Sequence, residues 1–71
     1  MRGFILHTQL VKEEDLVVTI LTKEKVLRLY RFYGARHSII NIGFLIDFEI
    51  QKTNVKIDRL GNIHHIGYPF I

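Results

Sequence analysis

Residues 46–51 read Ile-Asp-Phe-Glu-Ile-Gln, so apolar and polar side chains alternate at every position. A period of two places neighbouring side chains on opposite faces of a strand. Because one of these faces must be covered, the stretch requires a sheet with a buried side, toward which Ile46, Phe48 and Ile50 point. It is the clearest strand signal in the chain.

Other segments have weaker forms of the same signal. Residues 16–22 are rich in β-branched side chains, which favour a strand over the competing helix at 15–32 or 23–32. Charged or Gly- and Asn-containing stretches predict turns at 12–15, 23–25, 52–54 and 61–62, a loop at 34–38, and a bulge or bend at Gly43. The predicted strands are residues 3–11, 16–22, 26–33 and 39–51, with shorter ones at 55–60 and 63–67.

Five or six short strands in 71 residues predict one small all-β domain. A five-stranded, partly closed barrel is the most economical arrangement, because closure removes exposed edges; an SH3-like barrel is the structural alternative. The chain is 48% hydrophobic and finishes on the apolar residues 68–71. We therefore expect residues 1–71 to be a single domain that forms the N-terminal part of a longer chain, the alternative being a complete small barrel.

Several function classes have no support in the sequence. There is no cysteine, no Gly-rich phosphate cradle and no catalytic constellation, and adjacent His64 and His65 would point to opposite faces of a strand. We therefore predict no enzyme, no cofactor and no metal site. No uncharged stretch, including residues 37–46, is long enough to cross a membrane, and the N-terminus does not resemble a signal peptide.

Residues 25–38 form a basic segment that supplies the whole formal net charge of +3. The segment carries four cations and no acid, whereas residues 1–24 sum to −1 and residues 39–71 to zero. Cations mixed with aromatic rings suit single-stranded nucleic acid, although a solvated basic edge strand is the simpler interpretation. Core packing is favoured for Phe32 and Tyr30, whereas Tyr33, beside the Gly34 turn, is the better candidate for base stacking.

The ordered motifs resemble the N-terminal domain of the bacterial recombination mediator RecO. The resemblance covers residues 3–38: Gly3-Phe-Ile-Leu, then Glu14-Asp-Leu-Val-Val, then Leu21-Thr22, then a strand that closes on Gly34-Ala-Arg with Ser38 soon after. The family pattern has Gly where this chain has Val26, and Lys where it has Tyr33. Transfer of family roles is therefore best founded for Gly34, Ala35, Arg36 and Ser38.

The resemblance implies an OB-fold that binds single- and double-stranded DNA in a cytoplasmic, nucleoid-associated repair protein. The family anneals complementary strands, helps to load recombinase, and works with RecR and single-strand-binding protein. A helical domain would follow this one. Contacts with the tail of single-strand-binding protein, and the zinc site of some members, belong to that later region.

The predicted DNA-binding residues combine the charge pattern with the resemblance. Arg28, Arg31 and Arg36 are expected to meet phosphates, and Tyr33 to stack on a base. The complete predicted set is Arg28, Arg31, Tyr33, Gly34, Arg36, His37 and Ser38. The alternative is a protein-interaction module whose basic face binds an acidic partner, such as RecR or a single-strand-binding protein tail.

Overall fold

The computed structural model describes residues 1–36 and 40–67. Within them five strands are present: β1 (Arg2–Val11), β2 (Asp15–Leu21), β3 (Val26–Arg31), β4 (Leu45–Gln51) and β5 (Arg59–Gly67). A single turn of 3-10 helix, Gly34–Arg36, follows β3. No helix of the described residues has the length and apolarity that crossing a bilayer requires.

The five strands close into a barrel in the order β1-β2-β3-β5-β4. Neighbouring strands are antiparallel except β3 and β5, which are parallel and share one ladder pair, Tyr30 with Arg59. A five-stranded barrel of this kind is an OB-fold, so the predicted fold class is confirmed and the SH3-like alternative is set aside.

Alternate side chains of all five strands fill the barrel. Ile46 and Phe48 are almost completely buried and Ile50 packs against the core, as their alternation predicts. Of the other eight buried apolar side chains in the described residues, four come from β2, which is apolar on both faces. The main core cluster comprises Ile5, Leu16, Val18, Ile20, Leu29, Ile40, Ile46, Phe48 and Leu60.

The first two strands agree with the prediction to within one residue at each end, whereas the third does not extend as far as expected. β3 ends at Arg31 rather than at Tyr33, because Tyr33 adopts a left-handed backbone with φ of 56°. The helical alternative for residues 23–32 is wrong. The β-branched residues of β2 pair along the whole of β3, from Leu16 opposite Arg31 to Leu21 opposite Val26.

The C-terminal strands differ more from the prediction. β4 begins at Leu45 rather than at residue 39, because Gly43, with φ of 90°, makes a turn before it. Residues 55–58 are not a strand, and the predicted turn at Gly61-Asn62 lies inside β5. Gly61 is needed there for close packing: a Cβ would lie 3.2 Å from the Glu49 carbonyl oxygen of β4.

Gly3 provides a test of barrel closure, because it lies where β1 passes close to β2. A Cβ on Gly3 would lie 2.5 Å from Ile20 Cγ2 and 2.8 Å from the main-chain oxygen of Leu21. We expect Gly3→Ala to lower the free energy of unfolding by about 1–3 kcal/mol, as measured by urea denaturation. Gly67→Ala is the matched control, since nothing lies within 4 Å of its added Cβ. Equal stabilities of the two variants would contradict this account.

Candidate nucleic-acid interface

The predicted cations of β3 lie on opposite faces of the strand. Arg28 is exposed on the outer face. Arg31 is half-buried, and its guanidinium donates hydrogen bonds to the carbonyl oxygens of Leu60, at 3.0 Å, and Gly61. Burial lowers the pKa of the Arg31 guanidinium from its ordinary value. Arg31 therefore joins β3 to β5 where the ladder has a single pair, and its assignment as a phosphate contact stays a prediction.

The turn after β3 is held by Asp15, the first residue of β2. Asp15 is buried, and its two carboxylate oxygens accept hydrogen bonds from the Tyr30 hydroxyl at 2.6 Å and the Tyr33 main-chain N–H at 2.9 Å. The Tyr30 and Tyr33 hydrogen bonds hold the pKa of Asp15 below its ordinary value, and the same carboxylate raises the pKa of Tyr30. The run at residues 12–15 was expected to be a solvated turn; this is true of residues 12–14 but not of Asp15.

Gly34 and Glu14 complete the attachment of this turn to the barrel. Gly34 is buried, and a Cβ there would lie 3.1 Å from side-chain atoms of Leu16 and Arg31. The Ala35 main-chain N–H donates to the Glu14 carbonyl oxygen at 2.9 Å, and the Arg36 main-chain N–H donates to the Tyr33 carbonyl oxygen at 3.0 Å. The turn is therefore held by main-chain contacts, and a side chain in place of Gly34 would require Leu16 and Arg31 to move by a few tenths of an ångström.

Tyr33 and Arg36, two exposed members of the predicted set, lie together on this turn. The Tyr33 ring is 56% exposed, and the Arg36 guanidinium carbon lies 5.0 Å from its centroid. Arg36 also makes an ion pair with Glu14, with 2.8 Å between Nη2 and Oε2, although its side chain is 64% exposed. His37 and Ser38 lie outside the described residues.

Phe32 is part of a surface that the sequence did not identify. It was expected in the core, but it is 44% exposed. The Arg59 guanidinium carbon lies 4.5 Å from its ring centroid, and the Tyr30 ring meets it edge-on at 5.0 Å. These residues line a largely apolar cleft of about 280 Å³, here called the aromatic cleft, between the β1–β2 turn and the β4–β5 connection. Its lining residues are Lys12, Tyr30, Phe32, Val55, Ile57 and Arg59.

The shared face of Phe32 and Arg28 was visible in the sequence. Val26, Arg28, Tyr30 and Phe32 fall on one side of the period-two pattern, and Arg28 is exposed as a charged residue should be. Because side chains two positions apart share a face, an outward Arg28 indicates that Phe32, directly after β3, also points outward. Lys12, Val55 and Arg59 gave no such signal, because only the folded barrel brings the two connections together.

A second cleft, of about 390 Å³, lies on the other side of the β4–β5 connection and is here called the cationic cleft. Its lining has four cations, one acid and four apolar side chains: Lys25, Arg28, Lys52, Lys56 and Asp58, with Leu27, Leu29, Ile50 and Ile57. No group of three or more His, Cys, Asp or Glu side chains within residues 1–36 and 40–67 could hold a metal ion.

Comparison with protein-family models identifies the chain. The model described as RecO N terminal matches residues 1–71. The chain belongs to the RecO N-terminal family. The resemblance noted over residues 3–38 is therefore confirmed, and membership of the family supports a role in DNA repair. A search of curated proteins finds no match to the chain.

The Asp15 contacts of this RecO-family barrel predict a pH-dependent contribution to stability. Asp15→Asn keeps the side-chain shape and removes the charge, so we expect it to lower the urea midpoint at pH 7. Because the folded-state pKa of Asp15 is depressed below the ordinary value of 3.8, its stabilisation is present above that value and is lost as pH falls through the folded-state pKa.

The difference in urea midpoint between wild type and Asp15→Asn should therefore narrow below about pH 4. Glu13→Gln, an exposed neighbour in the same turn, is the control and should show little difference at either pH. A difference that is the same at both pH values would contradict the assignment to the carboxylate.

Proposed function

We propose that this domain is a non-enzymatic DNA-binding module of a RecO-like recombinational repair protein. It binds single- and double-stranded DNA largely without sequence preference. The full-length protein uses this module in strand annealing and recombinase loading, together with RecR and single-strand-binding protein, in the cytoplasm at the nucleoid. Family membership and the geometry of the outer β3 face support the proposal.

The observation that carries the proposal is the placement of Phe32. OB-folds bind oligonucleotides on the face of their second and third strands, between the β1–β2 and β4–β5 loops. Phe32 follows β3 directly and lies in the cleft between these two connections, where the Arg59 guanidinium carbon lies 4.5 Å from its ring centroid and Lys12 also lines the cleft. A half-exposed ring in a cleft with two cations is suited to stack a base while the cations meet the adjoining phosphates.

The Tyr33–Arg36 turn extends this surface. Lys12, Phe32 and Tyr33 also line an opening beside the β1–β2 turn, together with the acids at residues 13–15, so the two exposed rings are neighbours. We infer that a single strand runs from the aromatic cleft to this turn. Phe32 and Tyr33 then contact bases, while Arg36, Arg59 and Lys12 neutralise phosphates.

Removing the Phe32 ring should weaken single-strand binding. Stacking on an aromatic side chain is worth about 1–3 kcal/mol per base. Phe32→Ala should therefore raise the Kd for oligo-dT by about fivefold or more. The measurement is fluorescence anisotropy, in which wild-type affinity should fall steeply with added salt. Leu6→Ala, at a similarly exposed apolar position on β1, is the control. Equal effects of the two substitutions would exclude Phe32 as a base contact.

Glu14 competes with phosphate for Arg36, so its removal should strengthen binding. An exposed ion pair is worth about 0–1 kcal/mol, so releasing Arg36 through Glu14→Gln should lower the Kd for oligo-dT by up to about fivefold. Glu49→Gln, on the exposed face of β4, makes the same change in net charge at a distance from the turn. An equal gain in both variants would show that only net charge matters.

A further inference from the structure

The β4–β5 connection separates two clefts of different chemistry. On one side is the aromatic cleft, with Phe32 and Tyr30 in its lining. On the other is the cationic cleft, which no aromatic ring lines. Ile57 lines both, so the clefts are adjacent. A ligand that needs base stacking is suited to the first, and a ligand bound through charge alone is suited to the second.

The cations of the cationic cleft come from both of its walls. Lys25 and Arg28 belong to the β3 side, and Lys52 and Lys56 belong to the connection. The lining acid, Asp58, is already engaged: its carboxylate pairs with Lys52 at 3.2 Å and accepts the Thr53 N–H at 3.2 Å. These two contacts lower the pKa of Asp58, so it stays ionised at neutral pH.

The other three cations are available to a ligand. In the part of the chain that the structure describes, no carboxylate forms an ion pair with Lys25, Arg28 or Lys56. The charged side chains of the lining are four cations and one acid, so their formal net charge is +3. This equals the formal net charge of the whole chain.

The edge of β3 adds a main-chain donor to the same cleft. Tyr30 donates its N–H to the Asp58 carbonyl oxygen at 2.9 Å, on the side away from β2. Because alternate N–H groups of a strand point the same way, the Arg28 N–H also points away from β2. Within the described ranges, no main-chain hydrogen bond links Arg28 to the connection. The cleft thus offers an N–H group and cations from both walls, which matches the acceptor oxygens of a phosphodiester.

We propose that the cationic cleft holds the sugar–phosphate backbone of a second DNA strand while the aromatic cleft holds the bases of the first. This inference rests on the proposed function. The second strand would contact the protein through its phosphates, which leaves its bases free to pair with the first strand. An acidic extended peptide is the other ligand that cations beside an open strand edge suit. The adjacency of the two clefts favours DNA, because it places the second strand beside the first.

An abasic oligonucleotide tests the proposal, because it carries phosphates and has no bases to stack. We expect labelled abasic 12-mer to bind the protein and to join a complex that holds one equivalent of oligo-dT. Lys25→Gln/Lys56→Gln should weaken abasic binding at least tenfold and lower its salt slope by about 1.4, at about 0.7 per phosphate contact. The same double variant should change oligo-dT affinity less than threefold.

Two other variants complete the design. Arg2→Gln/Lys23→Gln removes two exposed cations that line neither cleft, and should leave abasic binding within twofold of wild type. Phe32→Ala should weaken oligo-dT binding and spare the abasic 12-mer. The annealing rate of complementary strands, followed by energy transfer, should fall with Lys25→Gln/Lys56→Gln more than with the control pair.

The outcomes separate the inference from the proposed function. If wild type binds no oligo-dT, both are overturned. If wild type binds oligo-dT but the abasic 12-mer only displaces it, the second site is wrong and DNA binding stands. Equal losses in the Lys25/Lys56 and Arg2/Lys23 variants also overturn the second site. If a glutamate-rich peptide binds in a Lys25- and Lys56-dependent manner and the abasic 12-mer does not, the cleft binds an acidic peptide instead.

Discussion

The hydrogen bonds accepted by the Asp15 carboxylate are the interaction on which the turn after β3, and with it the proposed DNA-binding end of the barrel, depends. The carboxylate lies in the interior at the start of β2, where an ionised group requires partners, and it finds them in the Tyr30 hydroxyl and the Tyr33 N–H. A left-handed backbone at a residue with a side chain, as at Tyr33, costs about 1–2 kcal/mol. The hydrogen bond that the Tyr33 N–H donates to Asp15 offsets that cost and holds the turn, so that the Tyr33 ring and Arg36 project into solvent.

The strands could be predicted where burial and periodicity agree. The alternation of residues 46–51 and the β-branched residues of β2 identified an inner face, and the fold class followed from closing short strands into a barrel. The roles of Asp15 and Arg31 could not be found in this way. Each belongs to a charged segment and resembles a solvated residue, yet each satisfies hydrogen bonds to a distant strand or turn, which only the closed barrel brings within reach.

The glycines and Phe32 show a second limit of sequence reasoning. Gly61-Asn62 has the composition of a turn, but Gly61 is needed because β4 approaches it closely, and β5 continues through the pair. Phe32 is a large apolar residue of the kind expected in a core, but β3 ends one position earlier and the ring remains on the outer face. In both cases a local preference is overridden by neighbours distant in sequence. The candidate surface therefore includes the predicted Tyr33 and Arg36 together with Phe32, Lys12 and Arg59, and its role in DNA binding stays a prediction.

The β4–β5 connection, described above as the wall of two clefts, has a consequence for how the domain responds to ligands. Ile57 lines both clefts, so the two clefts share part of one wall. If a ligand in one cleft shifts this wall, ligands in the two clefts are thermodynamically linked. The factor by which the first ligand changes the affinity for the second is then the factor by which the second changes the affinity for the first. Through this short shared wall, the affinity of each cleft in a barrel of 71 residues would depend on whether the other cleft is occupied.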